Sequence, residues 1–327
     1  VREFLASYGL FLAELATLGL LVVSAIVLGA SLRRRGHGEG LVVEHLNRRF
    51  EESADALKLA IEGKTRYKKE IKARHKARKR QDKARGHEKS GKPRVFVLDF
   101  KGDLRATAAA SLREEVSAVL QVAQPHERVV VRLENSGGTV HEHGFAASQL
   151  ARLKQHGLEV VVAVDKVAAS GGYLMACVAD RIIAAPFAIV GSIGVLAQLP
   201  NFHRLLEEQG VDFEQVMAGR YKRTLTMFGK NTDEGRAKLQ QEVEDIHELF
   251  KNQVREHRPQ VDIERVATGE HWYGVRALEL KLVDELKTSD DLLREAAHDH
   301  DLYHLSYKRR RNWQERVLGG AESLLAR

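Results

Sequence analysis

Val160-Val161-Val162-Ala163-Val164-Asp165-Lys166-Val167-Ala168-Ala169-Ser170-Gly171-Gly172-Tyr173 is the stretch that decides the fold. Its first five residues are apolar without alternation, the pattern of a short strand buried on both faces. A brief turn then meets a Gly-Gly pair and a helical pattern at Gly172 to Ala179. Working outward, Val95 to Phe100, Val129 to Leu133 and Arg181 to Ala184 read as further buried strands. Helical patterns lie between and beyond them, at about Thr107 to Val122, His143 to Lys154, Asn201 to Glu208, Thr232 to Val254, Tyr273 to Lys281 and Asp290 to Ala297. A short strand is also predicted at Phe213 to Met217. Strands alternating with helices need crossover connections, so the class is α/β with a mainly parallel sheet.

In such sheets ligands bind beyond the carboxyl ends of the strands. Three glycine-rich junctions fall at that edge: Glu134-Asn135-Ser136-Gly137-Gly138, the turn through Ser170-Gly171-Gly172, and Val190-Gly191-Ser192-Ile193-Gly194. Ser170 sits where a turn enters a helix, its hydroxyl uncrowded by Ala and Gly neighbours and close to helix N-terminal amides. It is a candidate nucleophile, with a plain N-cap as the alternative. No His is obviously placed beside these junctions, so a lysine is the candidate base. Lys222, in Ala218-Gly219-Arg220-Tyr221-Lys222-Arg223-Thr224, has Arg220 and Arg223 close by, although a solvated surface lysine fits the same residues.

Other chemistries are set aside. The chain has no G-x-x-x-x-G-K-[ST] loop, no H-E-x-x-H and no G-x-G-x-x-G after a strand. His141-Glu142-His143 suggests no third metal ligand and reads as a solvated polar turn before a helix. One Cys excludes a disulfide framework and multi-Cys metal sites.

Charge is unevenly spread. The net charge is +7, yet Lys64 to Arg94 holds 15 Lys/Arg against Glu70, Asp82 and Glu88, leaving the rest mildly acidic. With only Tyr67 available for stacking, that run predicts no nucleic-acid partner but suits anionic lipid headgroups. Gly9 to Leu32 is 24 residues long with one charge, Glu14, and is followed by Arg33-Arg34-Arg35. This predicts an uncleaved membrane helix rather than the competing cleaved signal peptide, in a bacterial-type inner membrane, with the main domain on the cytoplasmic side by charge bias and the periplasmic side as the alternative. Val43, Leu46, Phe50, Leu57 and Ala60 suggest an amphipathic helix just beyond it. The expected organisation is a short segment 1–8, a transmembrane helix 9–32, an amphipathic then basic tether 33–92, a catalytic domain 93–289 and a helical tail 290–327.

The junctions through Asp165–Tyr173 and Val190–Val195, followed by Tyr221-Lys222-Arg223, resemble in content and order the signal peptide peptidase family of membrane serine proteases. Gly269-Glu270-His271-Trp272-Tyr273-Gly274, and one domain after an N-terminal anchor, are most similar to its single-domain branch. The resemblance runs from Tyr8 to about Ser289. It implies a ClpP/crotonase-like fold and a Ser/Lys dyad with no cofactor: Ser170 as nucleophile, Lys222 as general base, and Ser192 orienting the amine. Gly137 and Gly171 would supply oxyanion N–H groups, with Gly138 beside them. It also implies a homo-oligomeric ring or dome, in which neighbouring protomers can share Ser and Lys. One departure stands out: the family's Ser-Pro-Gly-Gly is Asn135-Ser136-Gly137-Gly138 here. Losing Pro frees a fixed φ and predicts a looser loop.

The expected activity is a membrane-anchored serine endopeptidase acting on short or unfolded apolar peptides such as signal-peptide remnants. Two rivals share the fold: a weak or inactive membrane scaffold, and an acyl-CoA-processing enzyme of the crotonase type.

Overall fold

The computed structural model describes residues 39–62 and 92–309, with Thr17, Gly19 and Lys76 besides. Apart from those three residues, the expected membrane helix and the basic run up to residue 91 lie outside the described residues, as does the tail beyond 309. Among the described residues no helix is long and apolar enough to cross a membrane.

In chain order the elements are β1 (Gly40–His45), α1 (Leu46–Glu62), β2 (Arg94–Lys101), α2 (Ala109–Val122), β3 (Arg128–Glu134) and α3 (Val140–Gln155). Then come β4 (Glu159–Val164), β5 (Val167–Ala169), α4 (Gly171–Ala176), β6 (Arg181–Ala184), β7 (Ile189–Gly191) and α5 (His203–Glu208). The chain continues through α6 (Asp233–His257), α7 (Ile263–Val266), β8 (His271–Tyr273), α8 (Gly274–Glu279), β9 (Glu285–Leu286), α9 (Ser289–Asp299) and β10 (Asp301–Lys308). Leu41–Tyr307 forms one compact unit; the other, Val1–Gly40 with Lys308–Arg327, lies almost wholly outside the described residues.

The main sheet has the order β1-β10-β2-β3-β4-β6-β9, and its pairs from β10 through β9 are parallel. The runs that decided the class become its centre, and their lack of alternation has its cause in two covered faces. Phe96, Leu98, Phe100, Val129, Val131, Val160 and Val162 pack on one side with Leu112, Val116 and Val119 of α2 and Leu150 and Leu153 of α3. Val95, Val97, Val130, Val161, Ala163 and Ile183 face the other side, under Leu46 of α1 and Leu292 and Leu293 of α9. Fully burying each such side chain stabilises by about 1.5–3 kcal/mol, and neither face can stay bare.

That second face explains a difference from the expected organisation. Residues 290–308, expected as the start of a helical tail, are part of the domain: the expected helix forms as α9 and covers the sheet, and β10 follows it, pairing with β2 from Asp301↔Arg94 to Leu305↔Leu98. Likewise β1 and Leu46 of the expected tether belong to the sheet and its core. The strand predicted at Phe213 to Met217 does not form. Asp212, Glu214 and Gln215 interrupt it and no ladder partner lies alongside, so Phe213 and Val216 are left exposed.

β10 is held by an unusual buried carboxyl. Glu115 of α2 is 4% exposed; its Oε1 accepts Tyr307 N–H at 2.7 Å, and its Oε2 has no partner among the described residues. Burial pushes Glu115 up to about 7; the charge of Asp99 adds to the rise, while Tyr307 N–H and His304 oppose it. Burial also opposes charge on Asp99, but His304 and the two-pronged Arg132 hold it at about 2. Between its ordinary value of 4.5 and about 7, Glu115 binds more protons folded than unfolded, so its contribution is fully present at low pH and is lost as pH rises through 7. Glu115→Gln keeps the acceptor for Tyr307 and replaces the orphaned oxygen by a donor. Thermal melts should show it more stable than wild type at pH 8, by on the order of 2 kcal/mol, and nearly equal at pH 5.

Candidate active site

The three junctions meet because the chain passes through a bridge or short strand of a second, smaller sheet just before Gly137, Ser170 and Ser192. β5 runs parallel to β7, pairing Val167↔Ile189, Ala168↔Val190 and Ala169↔Gly191, and β7 pairs antiparallel with β8. After β3, Asn135 forms an isolated parallel bridge to Ala168. The loop of Gly137, the elbow of Ser170 and the turn of Ser192 are thereby set side by side at the carboxyl edge of the main sheet, where the sequence placed them.

Ser170 is the strained residue of this group, with φ +52° and ψ −121°. A non-glycine residue there costs on the order of 1–3 kcal/mol and persists only when its neighbours over-determine it. Ser170 N–H donates to Gly191 O at 2.8 Å, and Ser170 O accepts Leu174 N–H at 2.9 Å. The Ser170 side chain makes no capping hydrogen bond, so the plain N-cap alternative is not what the elbow serves. A serine raised on a strained strand-to-helix turn presents its Oγ outward, the geometry of a nucleophile elbow.

The glycines make room for it. Gly137 has φ +92°, and a Cβ there would lie 2.7 Å from Ser170 Cβ and 2.8 Å from Gly171 N. A Cβ on Gly171 would lie 2.5 Å from the ring of His143, and one on Gly138 would collide with Leu104 O. Gly171 N–H, the first amide of α4, has no hydrogen-bond partner among the described residues, whereas Gly137 N–H donates to Asn135 Oδ1 at 2.9 Å. Ser192 is half-buried at φ +51°, with its N–H given to Glu270 O at 2.6 Å. Lys222 does not join this group within the protomer. It is exposed, on a turn closed by its N–H to Gly219 O at 3.1 Å, and its amine has no hydrogen bond or ion pair among the described residues. Neighbouring Arg220 is paired with Glu234 at 2.7 Å and lies over the Tyr221 ring.

Two residues of the site escape the sequence reading. Asn135 is buried against α4, and His143 is not a solvated turn residue but fully buried on α3. The signal was available: His143, Ala146, Ala147 and Leu150 share one helical face, and all four are buried. His141, two residues earlier, is exposed beside Glu142. Among the described residues no group of three or more His, Cys, Asp or Glu is placed to hold a metal ion. Cys177 is buried, which pushes its thiol up to about 12 and leaves it unreactive.

A serine on a strained elbow, converging glycines and an inert thiol define a serine-type hydrolase. The chain belongs to peptidase family S49 and is a serine-type peptidase: the family's model matches residues 152–303, and the model of its N-terminal part matches residues 3–150. It is 46% identical to a protein of Haemophilus influenzae described as probable protease SohB, over 94% of this chain and 90% of that one. A protein of the same description from Buchnera aphidicola subsp. Acyrthosiphon pisum is 54% identical over 70% of this chain and 68% of its own. Among solved structures, a membrane-bound stomatin-specific protease in complex with a substrate peptide matches 71% of this chain and 99% of its own, with 11% identity and a TM-score of 0.44.

Any side chain at Gly137 presses on Ser170. Gly137→Ala should therefore lower peptide hydrolysis by about 100-fold, as misplacement near a reacting centre does, while circular dichroism stays that of the folded protein.

Proposed function

We propose that the chain is a membrane-anchored endopeptidase of ClpP/crotonase-like fold with a Ser/Lys dyad, cleaving short or unfolded apolar peptides such as signal-peptide remnants. The observation that carries the reading is the strained, uncapped Ser170 beside glycine backbone. Ser170 Oγ attacks the scissile carbonyl carbon while the neutral Lys222 amine takes the hydroxyl proton. The tetrahedral oxygen is met by Gly171 N–H and, from the Gly137 loop, by Gly138 N–H, since Gly137 N–H is already given to Asn135 Oδ1, and Ser192 orients the amine. Collapse breaks the C–N bond as Lys222 returns the proton to the leaving amine; water then repeats the attack on the acyl-Ser170 ester and releases the acid. The fold assignment is supported by the repeat in which β3, β4 and β6 each lead to a bridge or short strand of the second sheet.

Lys222 reaches Ser170 from a neighbouring copy. In support, Lys222 stands on residues 195–231, whose apolar side chains are unburied: Leu196 is 76% exposed and Val216 fully so, and Phe202, Leu205, Met217 and Tyr221 are exposed with them. So many exposed large apolar side chains on one segment, with the rings of Phe202 and Phe213 both against Phe228, are what a partner contact would cover. The membrane reading rests on the apolar run Gly9 to Leu32 with Arg33-Arg34-Arg35 behind it, which sets the domain on the cytoplasmic side of a bacterial-type inner membrane, near anionic lipid.

Purified in detergent, Ser170→Ala and Lys222→Ala should each abolish cleavage of apolar peptides followed by mass spectrometry, and mixing the two variants during assembly should restore a fraction of it. Full activity in either variant alone sinks the dyad; failure of the mixture to recover sinks the sharing between copies.

A further inference from the structure

The loop that lost the family's Pro is not loose, and the reason is a side chain that also reaches the Ser170 elbow. Asn135 N–H donates to Val167 O at 2.9 Å, and Ala169 N–H donates to Asn135 O at 3.0 Å, so its backbone grips the three residues before Ser170. Gly172 must lack a Cβ because Asn135 O occupies that place. The carboxamide faces the other way along the site. Its Oδ1 accepts Gly137 N–H at 2.9 Å and lies 3.2 Å from His143 Nε2, while its Nδ2 points to Met175 Sδ at 3.4 Å. His143 Nδ1 is 2.9 Å from Thr139 O, four residues back on the same helix start. Both ring nitrogens thus face oxygens: the ring donates to one of them when neutral and to both when it carries two protons. The same ring lies where a Cβ on Gly171 would be. Asn135 is 1% exposed and His143 0%, so neither contact competes with bulk water.

We infer that Asn135 and His143 are positioning residues, which fix the Gly137 loop against Ser170 through the chain His143 Nε2 – Asn135 Oδ1 – Gly137 N–H and so set the oxyanion side of the site. The pair does for Asn135-Ser136 what a fixed proline φ does in the family's Ser-Pro: it removes freedom from the segment that must hold an N–H group in place. Neither residue touches substrate, and both act through Gly137 and Gly171. The inference rests on the peptidase reading of Ser170.

The test uses the full chain in detergent with one apolar peptide and, separately, a fluorophosphonate that labels the active serine. His143→Phe keeps a ring against Gly171 and removes both nitrogens; Asn135→Ala removes the acceptor; His143→Gln restores a donor near Nε2. Expected are a fall of about 10-fold or more in kcat for the first two with KM within about twofold, a parallel slowing of fluorophosphonate labelling, and substantial recovery in His143→Gln. Melting curves accompany each variant, so that activity is counted per folded protein. Unchanged kcat in folded His143→Phe and Asn135→Ala overturns the inference, as does loss in His143→Gln equal to that in His143→Phe. Wild-type cleavage and labelling that persist in Ser170→Ala sink the Ser170 assignment itself; cleavage that needs Ser170 but ignores both changes sinks only the pair.

Discussion

Ser170 N–H donating to Gly191 O is the contact on which the site depends. It ties a residue of unfavourable backbone conformation to the last residue of β7, which is itself paired to β5 and β8. The strain at Ser170 is thus held by a small sheet on one side and by α4 on the other. A single strand end could not hold it, because relaxation to an ordinary φ would need only a peptide rotation. Here that rotation would break the bond to Gly191 and the one from Leu174 N–H to Ser170 O together.

Beneath the elbow the support is polar and buried. Tyr173 is fully buried and gives its hydroxyl proton to Leu282 O at 2.9 Å. Arg258, 2% exposed, makes two hydrogen bonds to Asp284 at 2.6 and 2.8 Å and one to Lys281 O, while Asp284 Oδ2 also accepts the Ile182 N–H of β6. Removing Asp284 would leave the Arg258 guanidinium buried and uncompensated, which is far more damaging than the net worth of the pair, whereas Asp284, partly exposed, would be left in reach of water. The region after α6 is in this way joined to β6, the central-sheet strand that leads into β7 and the Ser192 turn. The sheet and its helices form a platform under a loop cluster that carries the chemistry.

What the sequence made legible follows from signal length. β2, β3, β4 and β6 carry runs buried on both faces, and their positions are read almost to the residue. The second sheet was invisible, because three-residue strands such as Val167–Ala169, Ile189–Gly191 and His271–Tyr273 are too short to show any period. β10 was missed for another reason: Asp301, His304 and Ser306 interleave with Leu302 and Leu305, since only those two of its residues are buried. Ser170 and its glycines were legible because a strained turn demands particular residue types. The burial of His143 was written in its helical face, but its place beside Gly171 and that of Asn135 were not, because those contacts exist only once β3, α3 and α4 are packed.

Lys222 marks where one chain's sequence and one protomer's geometry part. The motif order nominates it, yet the arm that carries it buries none of α5 and leaves Val216 wholly in solvent. An apolar segment that ordered itself only against water would gain nothing from its Leu, Phe and Met side chains. On the proposed reading those side chains find their partner in a second copy, and the same burial that seats the arm brings the amine to Ser170. Assembly would then be a condition of catalysis: the monomer carries a pre-strained nucleophile without its base. A protease built so cannot cut while its subunits are dispersed, and its activity should depend on protomer concentration as steeply as the assembly does.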